Sequence, residues 1–269
     1  MGVGVFDSGL GGLSVLQALR AELPQQDFIY IADSGHAPYG ERDEAHVIAR
    51  SRALAAWLLD QGVKTLVVAC NTATAAAVDV LRAEHPDLPI IGVEPALKPA
   101  AALSKTRRIG VMATRSTLAS ARFQALLTSL STQAEFVLRP CDGLAEAIER
   151  AAVRPEDAPE LIASCARHTE AMGRFGSQTG EIDTLVLGCT HYPFASDILR
   201  GQLGAEVHLL DTGMPVARQT RLRLPALPSG DIPSRTGQIR LFTTGQPLAL
   251  QTAAQRWLAL DIPAGRLDC

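Results

Sequence analysis

Two cysteines lie at the same point of two similar stretches of the chain. The stretch "VKTLVVACNTATAA" contains Cys70 and "IDTLVLGCTHYPFA" contains Cys189; each cysteine ends an apolar run and precedes residues that can open a helix. A thiol at a helix N-terminus has its pKa pulled below about 8.5, so its thiolate is a usable base near neutral pH. One thiolate and one thiol on opposite sides of a carbon atom can remove a proton from one face and return one to the other. Cys70 and Cys189 are therefore candidate acid/base residues for a reaction that inverts a chiral centre.

Short β-branched runs alternate with longer helical patterns, and this alternation decides where the cysteines must lie. Mostly apolar strands between helices predict an α/β fold of parallel-rich sheets flanked by helices. Ligands bind such sheets outside the carboxyl ends of the strands, and both cysteines directly follow a strand. The predicted strands span residues 3–6, 27–32, 65–69, 89–93, 108–113, 134–139, 184–188, 206–210 and 238–242. The predicted helices span residues 12–23, 44–62, 72–84, 117–130, 143–152, 158–172 and 247–260.

The similarity extends well beyond the cysteines, and the chain consists of two copies of one α/β unit. Residues 25–35 align with 132–143, which places Phe28 on Phe136, and the other matching segments follow in the same order. A repeat of this length suits two related domains rather than a solenoid. We expect the two similar domains to be related by a pseudo-two-fold axis, with the active site in the interdomain cleft.

The domain boundaries follow from breaks in the pattern. We predict a discontinuous first domain, residues 1–95 and 213–269, and a second domain, residues 96–212. Two prolines interrupt the pattern within 94–102, and the Pro/Gly/Ser-rich stretch 223–237 is predicted to be an irregular connection. The last strand and helix have no counterpart in the second copy, so we expect them to pack on the first domain.

Further polar residues follow the predicted strands at equivalent points of the two copies. They are Asp7, Ser8, Asn71, Thr72, Thr114 to Thr117, Thr190 and His191. By the repeat, Asp7 lies near one cysteine and His191 near the other, so these groups are suited to orient or tune the thiols. Backbone N–H groups at the two helix starts are suited to hold a substrate carboxylate, and Asp7 is suited to pair with an ammonium group.

Composition and charge argue against several classes of protein. The chain has 269 residues, is 47% hydrophobic and carries a net charge of −3, which disfavours a nucleic-acid partner. No apolar run reaches the roughly 18 residues of a membrane span, and no basic stretch precedes an apolar one as in a signal peptide. Five cysteines without a C-x-x-C pair indicate a reducing compartment, so we expect the cytoplasm. Cys141 and Cys165 are expected to be buried packing residues, and Cys269 to be exposed.

No cofactor and no metal are expected. The glycine-rich "DSGLGG" fits neither of the common phosphate-binding motifs, and "CTH" lacks a second ligand pair with zinc spacing. A pyridoxal enzyme needs a Schiff-base lysine, but the lysines Lys64, Lys98 and Lys105 all lie outside the strand-end motifs. The residues alone leave open which small acid is the substrate.

Seven segments together resemble the glutamate racemases of the cofactor-independent aspartate/glutamate racemase superfamily. They are "GVFDSGLGGLSVL", "PYGER", "ACNTATA", "GVEPALKPAA", "ATRST", "LGCTHYP" and "LLDTGMPVARQT". The resemblance implies a two-domain enzyme that interconverts L- and D-glutamate without a cofactor and supplies D-glutamate for bacterial peptidoglycan. It makes Cys70 and Cys189 the acid/base thiols, assisted by Asp7 and His191. The implied substrate contacts are Asp7, Ser8, Pro38, Tyr39, Gly40, Asn71, Thr72, Thr114, Ser116, Thr117, Thr190 and His191.

The segment "GVEPALKPAA" resembles the branch of the family that is activated by a UDP-muramyl cell-wall precursor. The partners expected are therefore glutamate, such an activator, and at most a second copy in a homodimer, with a monomer as the alternative. Two other functions stay open at this point. One is aspartate racemase or a related isomerase that uses the same cysteine pair, and the other is a two-lobed amino-acid-binding protein.

Overall fold

The computed structural model describes residues 2–224 and 236–269, in which ten strands alternate with eleven α-helices. The strands are β1 (Gly2–Asp7), β2 (Asp27–Ala32), β3 (Thr65–Val68), β4 (Ile90–Ile91), β5 (Arg108–Ala113), β6 (Glu135–Pro140), β7 (Thr184–Gly188), β8 (His208–Leu210), β9 (Ile239–Thr243) and β10 (Ala264–Arg266). The helices are α1 (Leu13–Glu22), α2 (Glu44–Asp60), α3 (Asn71–Glu84), α4 (Leu97–Leu103), α5 (Arg115–Ala119), α6 (Ala121–Leu130), α7 (Leu144–Val153), α8 (Ala158–Glu170), α9 (Ser196–Leu203), α10 (Gly213–Arg223) and α11 (Pro247–Leu258). Short 3-10 helices span Ser34–His36, Tyr39–Glu41, Pro155–Asp157 and Tyr192–Ala195.

The chain divides into two compact units, each built on its own parallel sheet. The first unit contains the residues up to Val93 together with Gly213–Cys269, and the second contains Glu94–Thr212. The first sheet has the strand order β10-β9-β2-β1-β3-β4, and the second has the order β6-β5-β7-β8. All strand pairs in both sheets are parallel. The predicted α/β class with parallel sheets flanked by helices is confirmed.

The two sheets share one internal order. The order β2-β1-β3-β4 of the first unit recurs as β6-β5-β7-β8 in the second, so each predicted repeat contributes four strands in the same arrangement. The predicted last strand, β9, extends the first sheet by pairing with β2, with Phe28 opposite Ile239. Strand β10, which pairs with β9, was not predicted because its three residues form no alternating pattern.

The helix that follows the fourth strand of each repeat is counted in the other unit. Helix α4 follows β4 yet belongs to the second unit, and α10 follows β8 yet belongs to the first, where it packs on α1. The unit boundaries therefore fall at Val93/Glu94 and Thr212/Gly213. The residues 225–235 within the predicted irregular connection lie outside the described part of the chain.

Three α-helices were not predicted, and one predicted helix is two. In α4 and α10 a proline occupies the third helical position, where its missing N–H costs no intrahelical bond, so neither helix is interrupted. For α4 this corrects the expectation that the prolines within 94–102 break the pattern. Helix α9 was also missed. The predicted helix 117–130 is split at Ser120, whose side chain accepts a hydrogen bond from the N–H of Phe123 and starts α6.

Helices α2 and α3 cover one face of the first sheet, where a continuous apolar cluster forms. Leu54 and Leu58 of α2 are fully buried against Phe6 of β1 and against Leu66 and Val68 of β3. Alternate residues of each strand point to this face, as the pleat requires. This packing fixes the level at which β1 and β3 end, and therefore the position of the residues that follow them.

In the second unit, a single carboxylate connects segments of the chain at the amino end of β7. Asp183, directly before β7, accepts hydrogen bonds from Ser104 Oγ (2.6 Å), Lys105 N (2.7 Å), Thr106 N (2.9 Å) and Thr184 Oγ1 (2.9 Å). Burial alone would raise the pKa of Asp183, but these hydrogen bonds outweigh it and lower the pKa below its ordinary value. The carboxylate thus ties the turn between α4 and β5 to β7.

Replacing Asp183 with asparagine should destabilise the protein by about 1–3 kcal/mol at neutral pH, because an amide NH2 would face groups that are themselves donors. The pKa is lowered in the folded state, so the carboxylate stabilises fully above its unfolded pKa and loses this effect as the pH falls through the folded pKa. Urea unfolding should therefore show a gap between wild type and Asp183→Asn at pH 7 that narrows below about pH 4.

Ser104→Ala is the matched control, since it removes one donor to Asp183 and leaves the others. Its effect should be smaller than that of Asp183→Asn. An Asp183→Asn variant with the same stability gap at both pH values would contradict the role assigned to the charge.

Candidate functional site

The carboxyl ends of β1 and β3 bring two predicted site residues together in the first unit. Phe6 pairs with Val68, and Ala69 N donates to Phe6 O at 2.8 Å, so Ser8 and Cys70 follow adjacent strand ends. The Cys70 Sγ lies 3.4 Å from Ser8 Oγ, to which the thiol donates.

Cys70 is also the N-cap of α3. Its sulfur accepts a hydrogen bond from the backbone N–H of Ala73 at 3.4 Å, and the residue is 5% exposed. The positive end of a helix dipole favours negative charge at this place. The expectation that Cys70 begins a helix, with its thiol at the helix N-terminus, is confirmed.

The glycine-rich turn after β1 allows Asp7 to be fully buried. Gly9 N donates to Asp7 Oδ2 at 3.0 Å, and Tyr30 Oη donates to Gly9 O at 2.8 Å. A Cβ atom at Gly12 would lie 2.5 Å from Asp7 Cβ and 2.9 Å from Tyr30 Oη, so no larger residue fits there. The turn therefore fixes the orientation of a carboxylate.

Asn71, the first residue of α3, is buried with its hydrogen-bonding capacity unused. It is 5% exposed, and neither its amide nitrogen nor its amide oxygen has a partner among the described residues. Such a group costs about 1–3 kcal/mol unless something else satisfies it. One donor and one acceptor beside the Cys70 thiol are suited to a ligand that carries both a carboxylate and an ammonium group.

The loop after β2 places the predicted contact Tyr39 beside the same thiol. Tyr39 is 1% exposed and belongs to the buried cluster that contains Cys70, whereas Pro38 is exposed and follows a cis peptide bond. The Tyr39 hydroxyl donates to Asp33 Oδ2 at 2.5 Å. Asp33 was not predicted, because nothing in its local pattern distinguishes a carboxylate at a strand end from a turn residue. Gly40, next in the loop, is partly exposed.

In the second unit, β5 and β7 bring Thr114 and Cys189 to adjacent strand ends. Ala113 pairs with Gly188, and the next residue of each strand begins the site. Thr114 caps α5: its Oγ1 accepts from Thr117 N at 3.3 Å and lies 2.8 Å from Thr117 Oγ1 and 3.4 Å from Ser116 Oγ. The predicted residues of this loop therefore form one hydroxyl cluster.

The Cys189 thiol lies next to an imidazole, which in turn contacts a carboxylate. Cys189 Sγ lies 3.6 Å from His191 Nδ1, and His191 Nε2 lies 2.7 Å from Glu149 Oε1. Burial alone would lower the pKa of His191, but the hydrogen bonds with Cys189 and Glu149 outweigh it and raise the pKa well above its ordinary value. A protonated His191 next to Cys189 would stabilise a thiolate there. Glu149 was not predicted, because in the sequence it is an ordinary residue of an amphipathic helix.

The expectation that Cys189 also opens an α-helix is wrong. Cys189 and Thr190 are followed by the 3-10 segment Tyr192–Ala195, and α9 begins only at Ser196. Proline at position 193 and the short 3-10 turn delay the helix. The two thiols therefore lie at equivalent strand ends but in different local environments.

The remaining cysteines behave as predicted. All five cysteines are free, and Cys141 and Cys165 are buried whereas Cys269 is exposed. Burial raises the pKa of Cys141 to about 12 and that of Cys165 to about 11, so neither is a usable thiolate at neutral pH.

Within residues 2–224 and 236–269, no group of three or more His, Cys, Asp or Glu side chains has a geometry for metal binding. No helix in that part of the chain is both long and apolar enough to cross a membrane.

Known proteins resemble this chain over nearly its full length. A family model described as Asp/Glu/Hydantoin racemase matches residues 13–220. A glutamate racemase of Cupriavidus pinatubonensis is 45% identical over 97% of this chain and 93% of its own length. The structure of glutamate racemase isoform RacE1 from Bacillus anthracis superposes with a TM-score of 0.83 at 31% identity, covering 99% of this chain and 97% of that one.

A second solved structure is that of Escherichia coli glutamate racemase in complex with L-glutamate and the activator UDP-MurNAc-Ala. It superposes with a TM-score of 0.80 at 28% identity, covering 99% of this chain and 98% of that one. The residues matched by the family model, 13–220, contain both Cys70 and Cys189. On these grounds the chain belongs to the Asp/Glu/Hydantoin racemase family.

Proposed function

We propose that this protein interconverts L- and D-glutamate without a cofactor, using Cys70 and Cys189 as its two acid/base groups. The observation that carries the proposal is the equivalent position of the two thiols, each directly after the third strand of a repeated four-strand sheet. Family membership and relatives named glutamate racemase at about 45% identity support glutamate as the substrate. A binding protein has no use for two such thiols.

The reaction proposed is a proton exchange at Cα. One sulfur, as the thiolate, takes the Cα proton, and the C–H electron pair is left on Cα in conjugation with the substrate carboxylate. The other sulfur, as the thiol, gives its proton to the opposite face of Cα, so the product has inverted configuration. The two thiols end with exchanged charges, and one proton must be exchanged with solvent before the next turnover in the same direction.

The neighbours of each thiol support this division of labour. In the first unit, the unsatisfied amide of Asn71 lies next to Cys70, the buried Asp7 ends the adjacent strand and Ser8 follows it, so we assign these residues to the substrate's polar groups. Tyr39, Gly40, Pro38 and Thr72 would complete that side. In the second unit, we assign contacts to the hydroxyl cluster of Thr114, Ser116 and Thr117 and to Thr190.

His191 and Glu149 would act on the second thiol. The imidazolium form of His191 stabilises the Cys189 thiolate at 3.6 Å, and Glu149 holds the ring from its other nitrogen at 2.7 Å. Glu149 is thus a positioning residue that acts through His191, in the way that a carboxylate fixes the tautomer and orientation of a catalytic histidine.

The wider role follows from the same support. We propose that the product D-glutamate serves peptidoglycan synthesis and that the cytoplasm is the compartment, because all five cysteines are free thiols. The E. coli relative was solved with the activator UDP-MurNAc-Ala, so we also propose a UDP-muramyl precursor as a ligand here.

The purified protein in D2O should convert L-glutamate to the racemate and place deuterium at Cα of the product. The product proton comes from a thiol in exchange with solvent, so deuterium should enter with inversion. The measurement is loss of optical rotation, followed together with the Cα proton signal by NMR. L-Aspartate in the same assay separates the alternative substrate: exchange of aspartate but not glutamate would make this chain an aspartate racemase, and exchange of neither would end the proposal.

Two cysteine variants are the internal controls of that assay. Cys70→Ser and Cys189→Ser should each lower kcat/KM by at least about 10²-fold, because serine is a far weaker acid/base group. The two enantiomers have equal free energies, so the loss must be the same in both directions. Cys165→Ala removes a buried thiol far from a strand end and should keep activity. A double Cys70/Cys189 variant with full turnover would refute the two-thiol mechanism.

Glu149→Gln should shift the alkaline limb of the pH–rate profile to lower pH. Glu149 raises the pKa of His191, so removing its charge lowers that pKa, and the protonated His191 is lost at a lower pH. We expect a shift on the order of one pH unit in kcat/KM. Glu146→Gln, an exposed position on the same helix, is the matched control and should leave the profile unchanged. An unshifted alkaline limb in Glu149→Gln would show that His191 is not required in its protonated form.

A further inference from the structure

A fully buried carboxylate at the end of β2 gathers donors from three separate elements. Asp33 accepts from Arg50 of α2 at 2.9 Å on each oxygen, from Tyr39 Oη at 2.5 Å and from Thr244 Oγ1, after β9, at 2.8 Å. His36 Nδ1 lies 3.1 Å from Asp33 Oδ1. Burial alone would raise the pKa of Asp33, but the bonds from Arg50, Tyr39 and Thr244 outweigh it and lower the pKa. Asp33 is therefore an anion at all working pH values.

Arg50 balances this charge in the geometry that only arginine offers. Its Nε and one terminal nitrogen meet the two Asp33 oxygens in parallel, and its side chain is 12% exposed. Its other terminal nitrogen donates to Cys269 O at 2.8 Å. A bidentate, partly buried guanidinium–carboxylate pair is rigid, whereas a lysine would supply the charge without the fork.

The pair determines where Tyr39 lies. The Tyr39 hydroxyl is engaged by Asp33, so this group is not available to a substrate, and the ring is held inside the cluster that also contains Cys70. Burial first, and then Asp33 and Cys70, raise the pKa of Tyr39 well above its ordinary value. Tyr39 also starts the 3-10 segment Tyr39–Glu41 that follows Pro38.

We propose that Arg50 and Asp33 are positioning residues of the racemase reaction: they hold Tyr39, and with it the loop 38–41, as one wall of the Cys70 side of the site. The inference rests on the function proposed above. Neither residue needs to touch the substrate, since both act through the Tyr39 hydroxyl and ring. Arg50, Asp33 and Tyr39, together called the clamp, all lie in the first unit. Of these three residues, Tyr39 is the one that lies beside Cys70, so the role is specific to the first thiol.

The test compares two arginines of one helix. Arg50→Met removes the fork, whereas Arg52→Met, two residues on, removes an exposed arginine that pairs with Glu84 instead. Arg50→Met should lower kcat/KM by roughly 10- to 100-fold, the range that a displacement of about 1 Å near reacting groups produces. Arg52→Met should stay near wild type. Arg50→Lys keeps the positive charge and is expected to disturb folding less. It should lower kcat/KM by a smaller factor than Arg50→Met.

A double-mutant cycle tests the route through Tyr39. Tyr39→Phe keeps the ring and removes the hydroxyl that donates to Asp33. It therefore disconnects Tyr39 from the Arg50–Asp33 pair without changing that pair. If the clamp acts through that hydroxyl, Arg50→Lys combined with Tyr39→Phe should cost little more than the larger single loss. Fully multiplicative losses would show that Arg50 acts by another route and would overturn the proposal.

Isotope effects distinguish positioning at Cys70 from a general loss of folded enzyme. With glutamate deuterated at Cα, slower transfer at Cys70 should raise the primary isotope effect in the direction in which Cys70 removes the deuteron. In the reverse direction Cys189 removes the deuteron and Cys70 only returns a solvent proton. The primary isotope effect in that direction should therefore be smaller than in the wild type. Partial unfolding lowers the rate without changing either isotope effect.

The outcomes separate this inference from the proposed function. Wild-type protein that exchanges the Cα proton, together with opposite shifts of the two isotope effects in Arg50→Lys, supports the clamp. Unchanged isotope effects, or equal losses in Arg50→Met and Arg52→Met, overturn it while leaving the racemase intact. Wild-type protein that exchanges no Cα proton removes the proposed function itself.

Discussion

Parallel strands end at one edge of a sheet, and every chemical feature of this protein depends on that constraint. In both units the third strand of the repeat lies next to the first, so the residues that follow these two strands become neighbours. Cys70 therefore meets Ser8, and Cys189 lies beside Thr114 and its hydroxyl cluster. The apolar layer between sheet and helices sets the level of the strand ends, and the polar residues occupy only the first positions beyond it.

The repeated fold supports two thiols in unlike environments. Cys70 has a helix N-terminus, a serine hydroxyl and a buried tyrosine around it. Cys189 is not directly followed by an α-helix. It is adjacent to His191, whose pKa is raised by its hydrogen bonds with Cys189 and Glu149. A charged neighbour can hold one sulfur as the thiolate while the other rests as the thiol, which is the asymmetry that a reaction with one base and one acid requires.

Much of the fold was predictable from the sequence because its signals are local. Apolar runs of four to six residues mark the strands, and β1, β2, β3, β5 and β7 lie within a residue of the predicted positions. The proline of α4 misled the prediction because proline breaks a helix only beyond its first turn. The prediction of a helix at Cys189 was wrong because the second copy reproduces the strand of the first copy but not the turn that follows it.

The supporting groups could not be predicted, because they depend on contacts between distant segments. Glu149 reaches His191 across 42 residues of sequence, and Arg50 reaches Asp33 across 17. Glu149, Asp33 and Arg50 have types that are common on exposed helices and turns, and only the folded chain shows that each is directed at a site residue. Asn71 is the intermediate case: its position beside Cys70 was predictable, but its unsatisfied amide is visible only in the structure.

The most direct test of the account is a crystal structure with glutamate bound, in which the distance from each sulfur to the substrate Cα is measured. We predict that Cys70 Sγ and Cys189 Sγ lie on opposite faces of Cα, each at about 3.5 Å, as proton transfer requires. A structure with only one sulfur at Cα, or with both on the same face, would contradict the two-thiol mechanism.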